Sequence, residues 1–186
     1  MNVRGLTPIF LVVLLAACGT SKRGGYYQND GPPDRAPSDV ASTPDAVPKI
    51  EPLLARANRS YVALGRSYTP LTTDVAFRER GAASWYGRQF HGNRTASGEI
   101  YDMFAMTAAH PTLPIPSYVR VTGIRSGQSV IVRVNDRGPF KSDRIIDLSY
   151  AAASRRGFVA AGTGQVEIER ITHAQIASGA WRNAQH

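Results

Sequence analysis

The sequence holds a single cysteine, Cys18, in 186 residues. One thiol forms no internal disulfide, so the fold has to stand on its packed core. Basic runs are also missing. The 22 Lys and Arg are scattered, and only Lys22-Arg23 and Arg155-Arg156 are adjacent. Nucleic-acid binders carry their cations in clusters, so nucleic acid is not the expected partner. The apolar run Ile9–Leu15 falls well short of the roughly 20 residues a membrane-spanning helix needs. Compact metal-ligand spacings are absent too. His91, Glu99, His110 and Asp136 carry suitable atoms, but their spacing fits no compact zinc pattern. No metal and no cofactor is expected. Large apolar residues are scarce over Gly19–Pro48, where Pro32-Pro33, Pro37, Pro44 and Pro48 break any helix or central strand. That composition reads as disordered linker.

What is present begins with charge. The formal net charge is +8 and the pI about 10.1, which favours an acidic partner such as anionic lipid or an acidic polysaccharide. The first residues supply an address. Arg4 makes a short positive region, Ile9–Leu15 an apolar one, and Ala16-Ala17 precede Cys18, the layout of a secretory signal. Leu15-Ala16-Ala17-Cys18 resembles the lipobox of bacterial lipoproteins, which implies cleavage before Cys18 and lipidation of that thiol. Lipoproteins of this kind carry several acyl chains, and two suffice for stable attachment to a membrane. Gly19 after the cysteine, by the same resemblance, implies the outer membrane. The expected organisation is therefore a signal peptide over 1–17, a lipidated cysteine and linker over 18–48, an extended arm over 49–80, a domain over 81–172 and a tail over 173–186. The linker reaches on the order of 30 Å as a coil and about 100 Å stretched.

In the arm, Tyr61–Leu64 and Tyr68–Leu71 are strand-like pieces interrupted by Gly65 and Pro70. They are expected to pack on the domain or pair with a barrel edge. The domain is a run of short strands. Ala83–Gly87 enters a turn, and Ser117–Thr122 and Ser129–Val134 form a hairpin, with Arg120 and Arg133 facing out. Arg144–Leu148 is a short strand. Ser149 or Asp147 can cap a helix over Tyr150–Arg156 that Gly157 ends. Gly164–Ile171 is the last strand, after which the tail has little to bury. Many short strands with one short helix predict an all-β fold built as a small closed barrel.

Five blocks occur in order: Ala83-Ser84-Trp85-Tyr86-Gly87, Arg94-Thr95-Ala96-Ser97-Gly98-Glu99, Thr107-Ala108-Ala109-His110, Val134-Asn135-Asp136-Arg137-Gly138-Pro139 and Ile146-Asp147-Leu148-Ser149. Together they resemble the rare lipoprotein A family. The resemblance covers Gly81 to Ile171 and implies a six-stranded double-psi β-barrel with one or two short helices. It implies endolytic cleavage of peptidoglycan glycan strands stripped of stem peptides, by a lytic transglycosylase. Glu99, His110 and Asp136 match the family's functional positions. Longer members carry a glycan-binding repeat after the barrel. The short stretch after Ile171 leaves no room for one, so septal targeting is not carried over.

The residues themselves can support that chemistry. Glycosidic cleavage needs an acid for the leaving oxygen and a stabilised oxocarbenium-like centre. Asp136 ends a strand in a turn tightened by Gly138 and Pro139, from which a side chain can reach a groove. It is the expected acid, with Glu99 and His110 orienting it, tuning its pKa or stabilising positive charge. To start protonated, its pKa must be raised by burial or a nearby carboxylate. Of Trp85 and Tyr86, strand alternation sends one ring inward and one out, and Tyr86 is expected in the groove as a sugar platform. Arg94 and Arg137 are candidates for the lactyl carboxylates of muramic acid. His91, in the loop Gln89–Asn93, is a candidate substrate contact. Asp102 is expected to be structural, and Asp147 a helix cap or barrel-closing group. The expected partners are glycan strands and, through Cys18, a membrane, with the protein a monomer. The alternative is a non-catalytic, expansin-like peptidoglycan-binding lipoprotein.

Overall fold

The computed structural model describes residues 29–141 and 143–182. Cys18 and the signal peptide lie outside them. Six strands close into a barrel in the order β3-β7-β4-β6-β5-β8. These are β3 (Arg78–Tyr86), β4 (Thr107–Ala109), β5 (Ser117–Gly123), β6 (Ser129–Asp136), β7 (Ile146–Ser149) and β8 (Thr163–Ile171). β3 runs parallel to β7 and β4 parallel to β6, while the other neighbours are antiparallel. Closure leaves no free barrel edge for another strand. The all-β reading and the closed six-stranded barrel therefore hold. The interior is filled by branched aliphatics, among them Val119, Val121, Val130, Val132, Val134, Ile146, Leu148 and Ile168. All but Leu148 are β-branched, a shape that suits a pleated surface buried on both sides.

Helix α1 (Tyr150–Arg156) follows β7 directly. The Ser149 side chain accepts from Ala152 N, and Gly157 ends the helix in the left-handed region at φ 72°. Asp147 is not the cap. It is buried beside β3, accepting from Ser84 Oγ at 2.6 Å and from Arg144 Nη1 at 2.8 Å. That buried carboxylate and guanidinium hold β3 against β7.

Several edges differ from the sequence reading. β3 begins at Arg78 rather than Ala83, because Arg78 and Arg80 pair with Glu167 and Glu169 on β8. Arg120 and Arg133 were expected to face solvent, yet both are covered. Arg120 donates to the Trp181 carbonyl, and Arg133 is held between Glu51 and Glu99. The tail also buries more than its sequence promised. Helix α2 (His173–Ser178) starts with a Thr172/Gln175 capping box. Ile176 and Trp181 then pack against Tyr118, Ile131 and Ile171 outside the barrel.

The arm does not pair with the barrel edge. It folds on itself as a hairpin of β1 (Tyr61–Ala63) and β2 (Arg66–Tyr68). Its fixing point is Asn58, whose amide nitrogen donates to Ile115 O at 2.6 Å while its oxygen accepts from Ile115 N at 2.9 Å. Part of the stretch read as linker is docked as well. Asp30 is buried, and its carboxylate accepts from Gly87 N at 2.7 Å, Gly31 N at 2.8 Å and Gln89 N at 3.0 Å. The backbone approach is so close that a Cβ on Gly87 would lie 2.2 Å from Gly31 O. Ala46 N donates to Ile131 O at 3.0 Å. One acidic side chain among prolines gave no sequence signal of this contact.

Removing the Asp30 carboxylate leaves the Gly87 and Gln89 amides unpaired. Asp30→Ala should cost about 1–3 kcal/mol in denaturant unfolding and open the chain to proteolysis within residues 29–48. An unchanged midpoint and an intact segment would show that the docking carries no weight.

Candidate active site

The site is built where β4, β6 and the loop Arg94–Ile100 meet. Arg94 and Ile100 form an isolated antiparallel bridge, and Thr95 N donates to Glu99 O at 2.8 Å. Gly98 sits at φ 92°, a conformation that favours glycine. The loop docks on the end of β6. Ser97 N donates to Asn135 O at 3.0 Å, and Ala96 N to Asp136 Oδ1 at 2.8 Å. On the other side, β4 pairs Ala108 with Val134 and Ala109 with Asp136, so the register skips Asn135. An irregularity of this kind re-aims side chains at the end of a strand.

Asp136 is half-buried. Its Oδ1 accepts from both Ala96 N and Arg137 N, each at 2.8 Å. Oδ2 has no hydrogen-bond partner among the described residues. Burial raises the pKa above the usual carboxylate value, outweighing the two amides and the Arg137 charge that lower it. The carboxyl is thus oriented through one oxygen and left free at the other, and it holds its proton to higher pH than an ordinary carboxyl. These are the requirements of a general acid.

Glu99 is in a different state. Arg133 Nη1 donates to both its oxygens at 2.8 and 2.9 Å, and Asn135 Nδ2 donates at 2.9 Å. Arg133 also binds Glu51 in a fork, Nε to Oε1 at 2.8 Å and Nη2 to Oε2 at 3.0 Å. Glu99 is therefore an ion-paired carboxylate that grips the side chain next to Asp136. Asn135, Arg133 and Glu51 are site residues that the sequence did not single out. Asn135 lay within a recognised block. Glu51 had no local signal, being 82 positions from the guanidinium it meets.

His110 is buried, with 1% exposure. Its Nδ1 accepts from Thr112 N at 3.1 Å and Leu113 N at 2.9 Å, which puts the proton of the neutral ring on Nε2. Burial first, and Arg137 second, push its pKa down to about 3. The ring is neutral at physiological pH. It cannot stabilise positive charge by carrying charge itself, so among the roles expected of it, positioning remains. Its backbone N donates to Asp136 O at 3.1 Å, and its buried Nε2 has no partner among the described residues.

The expected binding residues fare unevenly. Trp85 and Tyr86 are both buried, at 1% and 5% exposure, because both faces of the end of β3 are covered. Trp85 meets Tyr150 of α1 at 5.6 Å, and Tyr86 stacks on Tyr101 at 4.1 Å. Neither ring is a sugar platform. Arg137 is spent inside the fold. It donates to the carbonyls of Ala57, His110 and Leu113 and to Asn58 Oδ1. Arg94 is exposed and donates to Gly98 O at 2.8 Å. His91 is half-exposed, its Nδ1 accepting from Met103 N at 3.1 Å, and it is part of no contact with Asp136. Asp102 is exposed, its Oδ1 accepting from Phe104 N at 2.9 Å and lying 3.8 Å from His91 Nδ1. Among the described residues no three His, Cys, Asp or Glu stand together to hold a metal.

A cleft of about 230 Å³ lies beside Asp136, lined by Arg56, Arg59, Ser60, Tyr61, Ala96 and Arg137. A larger one of about 520 Å³, walled by Arg125, Arg156 and Phe158, contains no carboxylate. The smaller cleft has no carboxylate in its lining either, but it is joined to Asp136 through Ala96, whose N donates to Oδ1, and through the adjacent Arg137.

Comparison with known proteins fits this geometry. A family model described as "Lytic transglycolase" matches residues 78–168. The chain is 52% identical over 166 residues to the endolytic peptidoglycan transglycosylase RlpA of Vibrio cholerae, covering 88% of this chain and 63% of that one. Against the proteins of the same name from Neisseria meningitidis and Pseudomonas aeruginosa, identity is 60% and 56%. Those matches cover 72% and 74% of this chain, and 56% and 40% of the relatives. The chain thus spans about half the length of these curated relatives.

The depressed pKa of His110 has a consequence for stability. The unfolded ring protonates near 6.5, while the folded ring resists until about 3. The stability held above pH 6.5 is therefore lost progressively as pH falls from 6.5 towards 3, at up to about 1.4 kcal/mol per unit. His110→Asn keeps an acceptor for Thr112 and Leu113 but does not titrate. Melting followed across that window should be flatter for the variant. Parallel curves would exclude His110 as the source.

Proposed function

The chain belongs to the rare lipoprotein A family, and we propose that it cleaves peptidoglycan glycan strands as a lytic transglycosylase. The bond is that between N-acetylmuramic acid and N-acetylglucosamine, and the product end is 1,6-anhydro. The observation that carries this reading is Asp136, a carboxyl oriented by two amides on Oδ1, free on Oδ2 and raised in pKa by burial. The neutral acid protonates the leaving glycosidic oxygen as the C1–O bond breaks. Positive charge develops at the anomeric carbon, and the muramic acid 6-hydroxyl attacks it. That hydroxyl's proton returns to the Asp136 carboxylate, so the acid is regenerated and no water is consumed.

In this scheme Asp136 alone exchanges protons. Glu99 is a positioning residue, acting through Asn135 and Arg133. His110 positions Asp136 through its backbone and presents a buried Nε2–H. Strands without stem peptides fit the narrow cleft beside Asp136 and expose the carboxylates that a basic protein attracts. Lipidation of Cys18 would hold the domain at the outer membrane, on the periplasmic side, as a monomer working in the cell envelope.

Product analysis on amidase-stripped sacculi tests the reading. The wild-type chain should release anhydro-ended fragments, and Asp136→Asn should slow release by about 10²–10⁴-fold while still binding strands. Activity should fall as pH rises through the raised pKa of Asp136, because only the protonated acid works. Intact strands throughout would point instead to a wall-binding, expansin-like role. Reducing ends would mean hydrolysis, and normal cutting by Asp136→Asn would remove Asp136 as the acid.

A further inference from the structure

The arm lies outside the matched domain, yet it forms one wall of the cleft beside Asp136. Its position is fixed. Leu54 N donates to Ile115 O at 3.0 Å, Ala57 N to Leu54 O at 2.9 Å, and Asn58 is bonded to Ile115 through both ends of its amide. Arg56, between these anchors, and Arg59, directly after Asn58, are exposed, and both line the cleft with Tyr61, Ala96 and Arg137. A Cβ placed on Gly98 would lie 3.7 Å from Arg56 Nη2, so that guanidinium hangs over the loop that holds Asp136.

Charge bookkeeping separates these two arginines from their neighbours. Arg133, Arg137, Arg155 and Arg170 are each tied to carboxylates or carbonyls. Among the described residues, Arg56 and Arg59 have no hydrogen-bond or ion-pair partner. Two unpaired guanidiniums on a fixed turn, in one cleft, are a ready fork for a carboxylate. An aromatic wall stands next to them. Tyr61 stacks on Tyr68 at 5.2 Å, and Phe140 closes on both rings at 6.0 and 5.6 Å.

We propose that Arg56 and Arg59 form an anion subsite of the cleft, binding the carboxylate of an acidic sugar beside the bond to be cut. The proposal rests on the glycan-cleaving reading and adds a specificity element to it. It also relocates carboxylate recognition from the barrel to the arm, since Arg137 is consumed by backbone carbonyls. The cleft reaches Asp136 through Ala96, whose N donates to the carboxylate. A sugar held by the two arginines is thereby placed next to the acid.

The test uses the full chain carrying Asp136→Asn, so that strands are bound and not consumed. The probes are stripped glycan strands and the same strands with their lactyl carboxylates reduced to alcohols. Reduction should weaken binding by about tenfold or more. Adding Arg56→Ala and Arg59→Ala should cost the same factor on carboxylated strands and nothing further on reduced ones. Arg35→Ala with Arg125→Ala removes equal charge from exposed positions outside the cleft and should change little. Unchanged binding in the Arg56/Arg59 variant overturns the subsite, as does an equal loss on both strands. If the Asp136→Asn chain binds neither strand, the glycan reading itself fails and the subsite falls with it.

Discussion

The guanidinium of Arg137 is the contact on which the site depends. It is half-buried, and burial lowers its pKa to about 10, which still leaves it charged at neutral pH. A cation withdrawn from water must be surrounded by acceptors. It finds them in the carbonyls of Ala57, His110 and Leu113 and in the side chain of Asn58. Those groups come from the arm, from the loop after β4 and, through Arg137's own backbone, from the end of β6. Each hydrogen bond to a charged group is worth about 1.5–3 kcal/mol. One side chain thus fastens the arm to the loop after β4, and it does so from the residue whose backbone N holds Asp136 Oδ1.

Around this knot the ionisable groups are sorted by their environments. Asp136 is buried without an ion-pair partner on its free oxygen, and burial raises its pKa. Glu51 is held below the usual range. Burial pushes its carboxyl up, but hydrogen bonds from Arg133 and Tyr118 outweigh it. Glu99 shares the same Arg133. His110 is driven neutral by its surroundings. A site with one carboxyl raised in pKa, ion-paired carboxylates beside it and a neutral histidine is suited to giving a proton and taking it back. The separation follows from which oxygen meets which donor, and not from the residue types themselves.

The aromatic residues illustrate a similar point about surfaces. Trp85 and Tyr86 lie in a recognised block and have the composition of a sugar platform, yet α1 and the segment around Tyr101 cover them. Tyr61 and Tyr68 pair across the arm hairpin and Phe140 comes from beyond β6, yet the three rings assemble beside the cleft. Strand alternation specifies two faces. It does not specify what covers each face.

The order of blocks from Ala83 to Ser149 determined the barrel, because alternating valines and turn residues at that spacing close into one core. That Asp136 ends a strand was legible from Gly138 and Pro139 after it, whereas Glu99 and His110 as its companions came from the resemblance of the blocks to a family. The capped helix at Tyr150 was legible for the same reason, since Ser149 and Gly157 act locally. Tertiary structure alone decided the remainder. The short β4, Thr107–Ala109, has no alternation to read, and its register to β6 aims Asp136. The charge states of Asp136 and His110 depend on burial. Arg137 was withdrawn from the surface by carbonyls from as far as 80 positions away. Such contacts leave no local periodicity, because they join backbone groups that every residue carries.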